Sequence, residues 1–388
     1  MAVAFLKPQR SALAYKQSMT STTQRVNVKK AVLSNRIFIS ADDELIEHIN
    51  QQLTYWVPAR NPRDPPVPVK QMSRVRKGLV SMPIGRTDLI PEDYEIVDKR
   101  VKMPVEFPKF KGTLRPDQQE VYDKIFDNVI INAQPSWGKT FTGISIALKL
   151  GQKTLIVCHT VQLMNQWLRE IKKTLGIDAG KAGSGVFDIN KPIVVGSVRT
   201  LYNHMPKIAN QFGTLILDEM HHVSSKTFSS VVDKSTARYK IGLSATIERK
   251  DGRHVVFKDY FGDNIIKPKE ANAMFPEVHR IKSEIPLPGG AHIPWATRMT
   301  ELAYDPDYQD LICFLAETYR KMGHKVLILS DRIHLLNVCA ETLSETSVVV
   351  TGEIMNISER EALIASTKTI KDQLFGTQSI FSEGFSEK

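Results

Sequence analysis

The sequence predicts an α/β protein: a small α+β unit followed by two successive doubly wound parallel-sheet units. From Thr113 onward, short β-branched runs alternate with helix-length amphipathic segments, the pattern of βαβ crossovers. That alternation breaks at a proline-marked, weakly patterned stretch from about Pro276 to Pro294 and then resumes. Ahead of Thr113 the chain is basic and proline-interrupted and lacks the alternation. The expected units are therefore residues 1–112, 113–285 and 286–388.

Taken in order, residues 1–27 have no periodicity and read as an arm. A β-branched and aromatic patch follows (Ala31–Leu33, Arg36–Ser40), and Asp42-Asp43-Glu44 opens an apolar-periodic helix carrying Leu45, Ile49 and Leu53. Five prolines within Pro58–Pro68 predict an extended loop, with a polyproline ligand as the lesser reading. The second unit should run helix 117–128, strand 129–132, helix 140–150, strand 154–158, helix 162–175, then strands at 193–195, 215–217 and 240–243. In the third, helices at 307–321, 333–343 and 359–366 alternate with strands at 325–329, 347–350 and 378–381.

At 388 residues the chain exceeds what one core usually takes, and 42% hydrophobic with 24% charged residues excludes a disordered or low-complexity protein. No run approaches the ~18 apolar residues a membrane span needs, and Met1–Lys7 is too short for a secretory signal core, so a soluble, intracellular protein is expected. Cys158, Cys313 and Cys339 lack disulfide or zinc spacing. The net charge of +10 is uneven: residues 1–112 hold 19 Lys+Arg against 11 Asp+Glu, leaving little excess elsewhere. Seven basic residues and no acid in the first forty suit a phosphate backbone. A solvated tail fits the same charge, and an acid-free, Ser/Thr-rich start also fits a transit peptide.

The strongest chemical signal is a strand, Val129–Asn132, running through Ala133-Gln134-Pro135-Ser136-Trp137-Gly138-Lys139-Thr140 into a helix. In such a loop, backbone N–H groups and the free helix N-terminus cradle phosphates, a lysine meets the β/γ oxygens and a hydroxyl such as that of Thr140 ligates Mg²⁺. The usual first glycine is Ala133, and Ser136 and Trp137 replace small residues. A second apolar strand, Leu215–Leu217, ends in Asp218 and Glu219. There Asp218 can hold Mg²⁺ while Glu219 polarises a water. An acidic turn after a core strand is the plain alternative. His221 and His222 follow, with no further ligands at zinc spacing.

With these residues in place, the chain resembles the superfamily-two helicases. Thr113-Leu-Arg115-Pro-Asp-Gln118-Gln119, the Ala133–Thr140 loop, Asp218-Glu219-Met-His221 and Leu243-Ser244-Ala-Thr246 stand in the order of that family's Q motif and motifs I, II and III. Val157–Trp167 looks like motif Ia, and Val194–Leu201 like the later DNA-tracking motif. Thr246–Gly252, with Arg249 and Asp251, is similar to the Arg-Glu-Asp element of XPB-type helicases. Residues 325–332, Val350-Thr351-Gly352 and Phe375–Gly384 resemble motif IV, a nucleic-acid element and motif V with its Glu383-Gly384 pair. The likeness is nearest to phage DNA helicases of the UvsW type, which carry a small basic domain before the motor, and spans about residues 30–388.

The resemblance implies two RecA-like lobes, the second incomplete at its C-terminus, ATP and Mg²⁺ as cofactors, and an ATP-dependent DNA helicase or translocase remodelling forks or Holliday junctions in a bacterial host's cytoplasm. It points to no membrane and no obligate protein partner. Lys139, Asp218, Glu219 and His221 would be catalytic. Arg115 and Gln118 would read adenine, and Ser244, Thr246, Arg249, Asp251, Glu383 and Gly384 would couple ATP to lobe closure. Thr160, Arg199 and Thr351 would contact nucleic acid. Trp137 would cap the phosphates or slow nucleotide exchange. Trp167 reads as core, and Tyr55-Trp56 as a stacking platform or core. The chain ends before a motif VI, which suggests an incomplete gene product with weak hydrolysis. An RNA helicase, or an ATP-responsive DNA-binding fragment, is the alternative.

Overall fold

A computed structural model describes residues 29–59, 63–247, 252–269, 277–290, 292–354, 356–367 and 369–381. The N-terminal arm therefore lies outside the described residues. The first unit contains β1 (Lys30–Leu33), β2 (Arg36–Ser40), α1 (Asp43–Gln52), β3 (Thr54–Val57), β4 (Val67–Lys70), β5 (Ser73–Arg76), β6 (Leu79–Pro83) and β7 (Glu95–Asp98). Among the described residues, five strands pair in the order β5-β6-β2-β1-β7, and β3-β4 form a separate ribbon. The Asp42 carboxylate caps α1 by accepting from Leu45 N–H, as its position before an apolar-periodic segment predicts. The expected proline-rich loop is shorter than read: Val67 and Pro68 already belong to β4, an edge strand, where proline's missing N–H costs no ladder bond.

The second unit runs α2 (Pro116–Asp123), β8 (Val129–Asn132), α3 (Lys139–Leu150), β9 (Thr154–Cys158), α4 (Val161–Leu175), β10 (Gly180–Gly183), β11 (Val186–Phe187), β12 (Ile193–Ser197), α5 (Val198–Ile208), β13 (Thr214–Leu217), α6 (Lys226–Lys234), β14 (Tyr239–Ser244), α7 (Phe257–Phe261) and β15 (Ile265–Ile266). Its sheet is ordered β11-β10-β12-β9-β13-β14-β8-β15, parallel except at β11. Every residue of β9 and β13 is buried, because helices cover both faces. The period of two then sorts the strands between two cores. Ile131, Ile156 and Ile216 meet α3 and α4 through Ile144, Trp167 and Ile171. Ile130, Leu155, Leu215 and Leu217 meet α5, α6 and α7 through Leu201, Phe228 and Phe261. At ~1.5–3 kcal/mol per buried large apolar side chain, these layers dominate the unit's stability.

The first unit packs on this sheet through polar contacts that no local pattern announces. Arg36 Nη1 pairs with Asp233 Oδ1 at 3.0 Å. Tyr55 Oη donates to Asp259 Oδ1 at 2.8 Å, and Arg86, almost fully buried, lies 3.5 Å from the same oxygen. Burial pushes the Asp259 carboxyl up to about 6. A Cβ on Gly85 would sit 2.2 Å from Lys258 O, so only glycine permits this approach. Tyr55 is thus an inter-unit strut, while Trp56 is 69% exposed.

Lys240 of β14 is buried at the same junction, donating to Val232 O at 3.1 Å and Asn35 O at 3.5 Å. Burial lowers its ammonium to about 7. The unfolded chain therefore binds more protons than the native state between about pH 7 and 10.5, and stability should rise with pH through that window. The gain is lost progressively as the pH falls back through the same window, at no more than ~1.4 kcal/mol per pH unit, and is gone once the pH is below about 7. Lys240→Met should flatten the slope. Parallel denaturant midpoints for both proteins from pH 6.5 to 9 would disprove this account.

The third unit contains α8 (Trp295–Leu302), α9 (Pro306–Lys321), β16 (Val326–Leu329), α10 (Ile333–Thr342), β17 (Ser347–Val350), α11 (Ile357–Ser366), β18 (Gln373–Gly376) and α12 (Gln378–Phe381). Among the described residues its strands pair as β16-β18-β17, all parallel. The predicted strand 378–381 is wrong. The central strand is Gln373–Gly376, and 378–381 is a short helix. Phe381 folds back over Gly376, where a Cβ would lie 2.0 Å from its ring. The chain turns at Thr377, and Ile380-Phe381 has strand-like composition but ends a helical turn. No helix among the described residues is long and apolar enough to cross a membrane.

Candidate active site

The carboxyl ends of β8, β13 and β14 bring Lys139, Asp218, Glu219, His221 and Ser244 together, at the edge where open α/β sheets bind ligands. Ala133 N–H donates to Ser244 O at 2.9 Å and Asp218 N–H to Val157 O at 3.0 Å, locking neighbouring strand ends in register. The 133–140 loop then climbs into α3. Gly138 has φ +95°, and a Cβ there would lie 2.6 Å from Gln118 Nε2, so both torsion and space require glycine. Ser136 takes φ +62° without that freedom, a strain of order 1 kcal/mol held by the surrounding turn. Gln134, Pro135 and Ser136 are exposed, while Lys139 and Thr140 are half-buried. Lys139 Nζ folds over its own loop, 3.2 Å from Ala133 O and 3.4 Å from Gln134 O.

Trp137 does not reach over the loop mouth. Its indole is 8% exposed and donates to Asp117 Oδ2 at 2.6 Å, so it anchors the loop to α2 rather than capping phosphates. Its carbonyl accepts from Arg115 Nη2 at 2.8 Å and Gln118 Nε2 at 3.0 Å. Gln118 Oε1 accepts from Arg115 N–H. Both ends of the Gln118 carboxamide are thus engaged by backbone here, which fastens α2 to the loop.

Asp218 is 4% exposed, its Oδ1 accepting from Glu219 N–H at 3.1 Å and its Oδ2 from Trp167 Nε1 at 2.8 Å. Burial pushes its carboxyl up to about 6, with the neighbouring Glu219 charge adding to the effect. Glu219 moves the other way. Burial would raise it, but the His221 hydrogen bond and the charges of Lys139 and His221 hold it below the usual range. Its backbone is left-handed, φ +48°. His221 Nδ1 lies 3.3 Å from Glu219 Oε2 and 3.0 Å from Ser244 Oγ. Because Ser244 Oγ donates to Thr246 O at 2.7 Å, the His221 nitrogen must carry the proton between them. His221, His222 and His159 pack in series as tilted rings with centroids 4.3 Å apart.

Of the nucleic-acid candidates, Thr160 caps α4 by accepting from Leu163 N–H, and Arg199 is exposed in the first turn of α5. Thr351 is 4% exposed and its hydroxyl accepts from Glu353 N–H, so it faces its own turn. Arg249, Asp251, Glu383 and Gly384 lie outside the described residues. Two contacts escaped the sequence, Trp167–Asp218 and Trp137–Asp117. Apolar spacing placed Trp167 in the core, and nothing in that spacing shows where an indole N–H points.

Fold and site together define a P-loop ATPase of the helicase class. Residues 111–249 match the family model described as type III restriction enzyme, res subunit. A probable helicase of Escherichia phage T5 is 39% identical over 365 residues, covering 92% of this chain and 81% of that protein. The chain belongs to the superfamily-two helicases, ATP-hydrolysing enzymes that bind nucleic acid. It is also 28% identical to a putative ATP-dependent RNA helicase of Acanthamoeba polyphaga mimivirus, over 72% of this chain and 58% of that one. To the DNA 3′-5′ translocase XPB2 of Sulfurisphaera tokodaii it is 37% identical over 31% of this chain and 27% of the other. The crystal structure of phage T4 UvsW aligns over 93% of this chain and 82% of that one, with TM-score 0.48 and 16% identity.

Proposed function

We propose that this protein is an ATP-driven DNA translocase that remodels branched DNA in a bacterial host's cytoplasm. One observation carries the reading: Lys139, Asp218, Glu219 and the His221–Ser244–Thr246 chain converge at one sheet edge, with the two carboxylates in opposed electrostatic environments. Lys139 compensates γ-phosphate charge, and the free N–H groups opening α3 hold the phosphates. Glu219, ionised, accepts a proton from the attacking water. His221 relays the state of that carboxylate through Ser244 to Thr246, beyond which the chain leaves the sheet. Asp218 and Thr140 would hold Mg²⁺, which supplies positive charge against the phosphates when bound. The donor set fits a hard cation, since Asp218 is a buried carboxylate with no ion-pair partner among the described residues.

The branched substrate is supported by the first unit. Lys70, Arg74, Arg76 and Lys77 are exposed around the β5–β6 hairpin, on a unit fastened to the motor through Arg36 and Arg86. A basic surface held at fixed distance from a motor suits gripping one arm while the motor pulls another. Replacing Arg74, Arg76 and Lys77 with Ser should weaken forked-DNA binding and lower the slope of log K against log salt by about 2–3, without changing the melting temperature. An unchanged slope would remove the hairpin from the DNA surface. Forked DNA should stimulate ATP turnover more than single-stranded RNA. The reverse order would make the chain an RNA helicase.

A further inference from the structure

We propose that Trp167 is a positioning residue for the cation-binding carboxylate of Asp218. This rests on the reading that Asp218 holds Mg²⁺. The Trp167 side chain is fully buried, and its single polar atom is spent on Asp218 Oδ2 at 2.8 Å. For filling space alone, a phenyl or aliphatic group would serve without bringing an N–H donor that must be satisfied. An aspartate's terminal torsion is soft and roughly two-fold, so packing alone sets its plane poorly. Here the two oxygens accept from different donors, Glu219 N–H on one and the indole on the other, and that pair of bonds fixes the plane.

Trp167 is itself held from both sides. On α3, Gly143 leaves a notch for the ring, where a Cβ would lie 2.7 Å from Trp167 Cη2. On α4, Leu163, Met164 and Ile171 are buried in the same core. The indole therefore references Asp218 to the helix that the phosphate loop feeds, and the loop lysine and the carboxylate keep a common frame. Each carboxylate oxygen retains a lone pair for the cation, because neither bond from the protein uses both. An outer donor of this kind commonly affects metal affinity by 10–100-fold.

The test is a Mg²⁺ titration of the affinity for a fluorescent, non-hydrolysable ATP analogue, comparing wild type, Trp167→Phe and Asp218→Asn. Trp167→Phe should keep the Mg²⁺-free affinity and raise the half-saturating Mg²⁺ concentration roughly tenfold or more. Asp218→Asn should raise it further. If Asp218→Asn matches wild type, the metal reading fails and takes the proposal with it. If Asp218→Asn shifts and Trp167→Phe does not, the positioning role alone is wrong. Should Trp167→Phe not fold, wild-type protein labelled with ¹⁵N-tryptophan decides the matter. The Trp167 indole resonance, assigned by eliminating Trp56, Trp137 and Trp295, should move when Mg²⁺ joins the analogue-bound protein. A stationary resonance overturns the proposal.

Discussion

Lys139→Ala should leave a folded protein whose ATP turnover has fallen by roughly 10²–10³ or more, the usual cost of removing a preorganised charge from a transition state. The structure separates this loss from misfolding. Among the described residues, Lys139 Nζ makes hydrogen bonds only to Ala133 O and Gln134 O of its own loop, at 3.2 and 3.4 Å, and is half-buried. Alanine at the first helical position keeps α3, and Gly138, which sets the loop's left-handed turn, is untouched. Stability should stay within ~0.5 kcal/mol of wild type. The checks are steady-state ATPase with saturating DNA and a melting curve. Wild-type turnover in a normally folded Lys139→Ala would falsify the phosphate-loop assignment.

Glu219→Gln should bind nucleotide with near wild-type affinity yet turn over about 10²–10⁴ times more slowly, the usual share of a general base. The paired environments assign the roles. Burial raises the Asp218 carboxyl to about 6, whereas His221 and Lys139 hold that of Glu219 down despite its own burial. Neighbouring acids driven apart in this way usually divide their work. Asp218, desolvated, gains most from a cation, and Glu219, ionised at neutral pH, is ready to take a proton. The amide of glutamine preserves size and can still accept from His221 Nδ1–H, so the Ser244–Thr246 chain survives. Single-turnover hydrolysis alongside equilibrium nucleotide binding measures both halves. Normal hydrolysis by Glu219→Gln would require another base.

Local chemistry determined the class of this protein. Strands such as Thr154–Cys158 and Thr214–Leu217 carry enough β-branched and aliphatic character to be read directly, and each is wholly buried as a covered parallel sheet demands. The strand–loop–helix at Ala133–Thr140 and the carboxylate pair at Asp218-Glu219 are likewise contiguous, with all their information in a few neighbouring residues. The tertiary structure alone decided what depends on a distant partner. Residues 378–381 look like a strand until Phe381 is seen folding over Gly376, leaving Gln373–Gly376 as the paired segment. Trp137 and Trp167 differ in role only through Asp117 and Asp218, which lie 20 and 51 residues away. Arg86 finds Asp259 across 173 residues, and nothing near either marks the other as its partner. Backbone propensity and hydrophobic period act over a few residues and can be read from composition. A buried donor takes whichever acceptor the packed chain brings to it, so its partner exists only once the layers have closed.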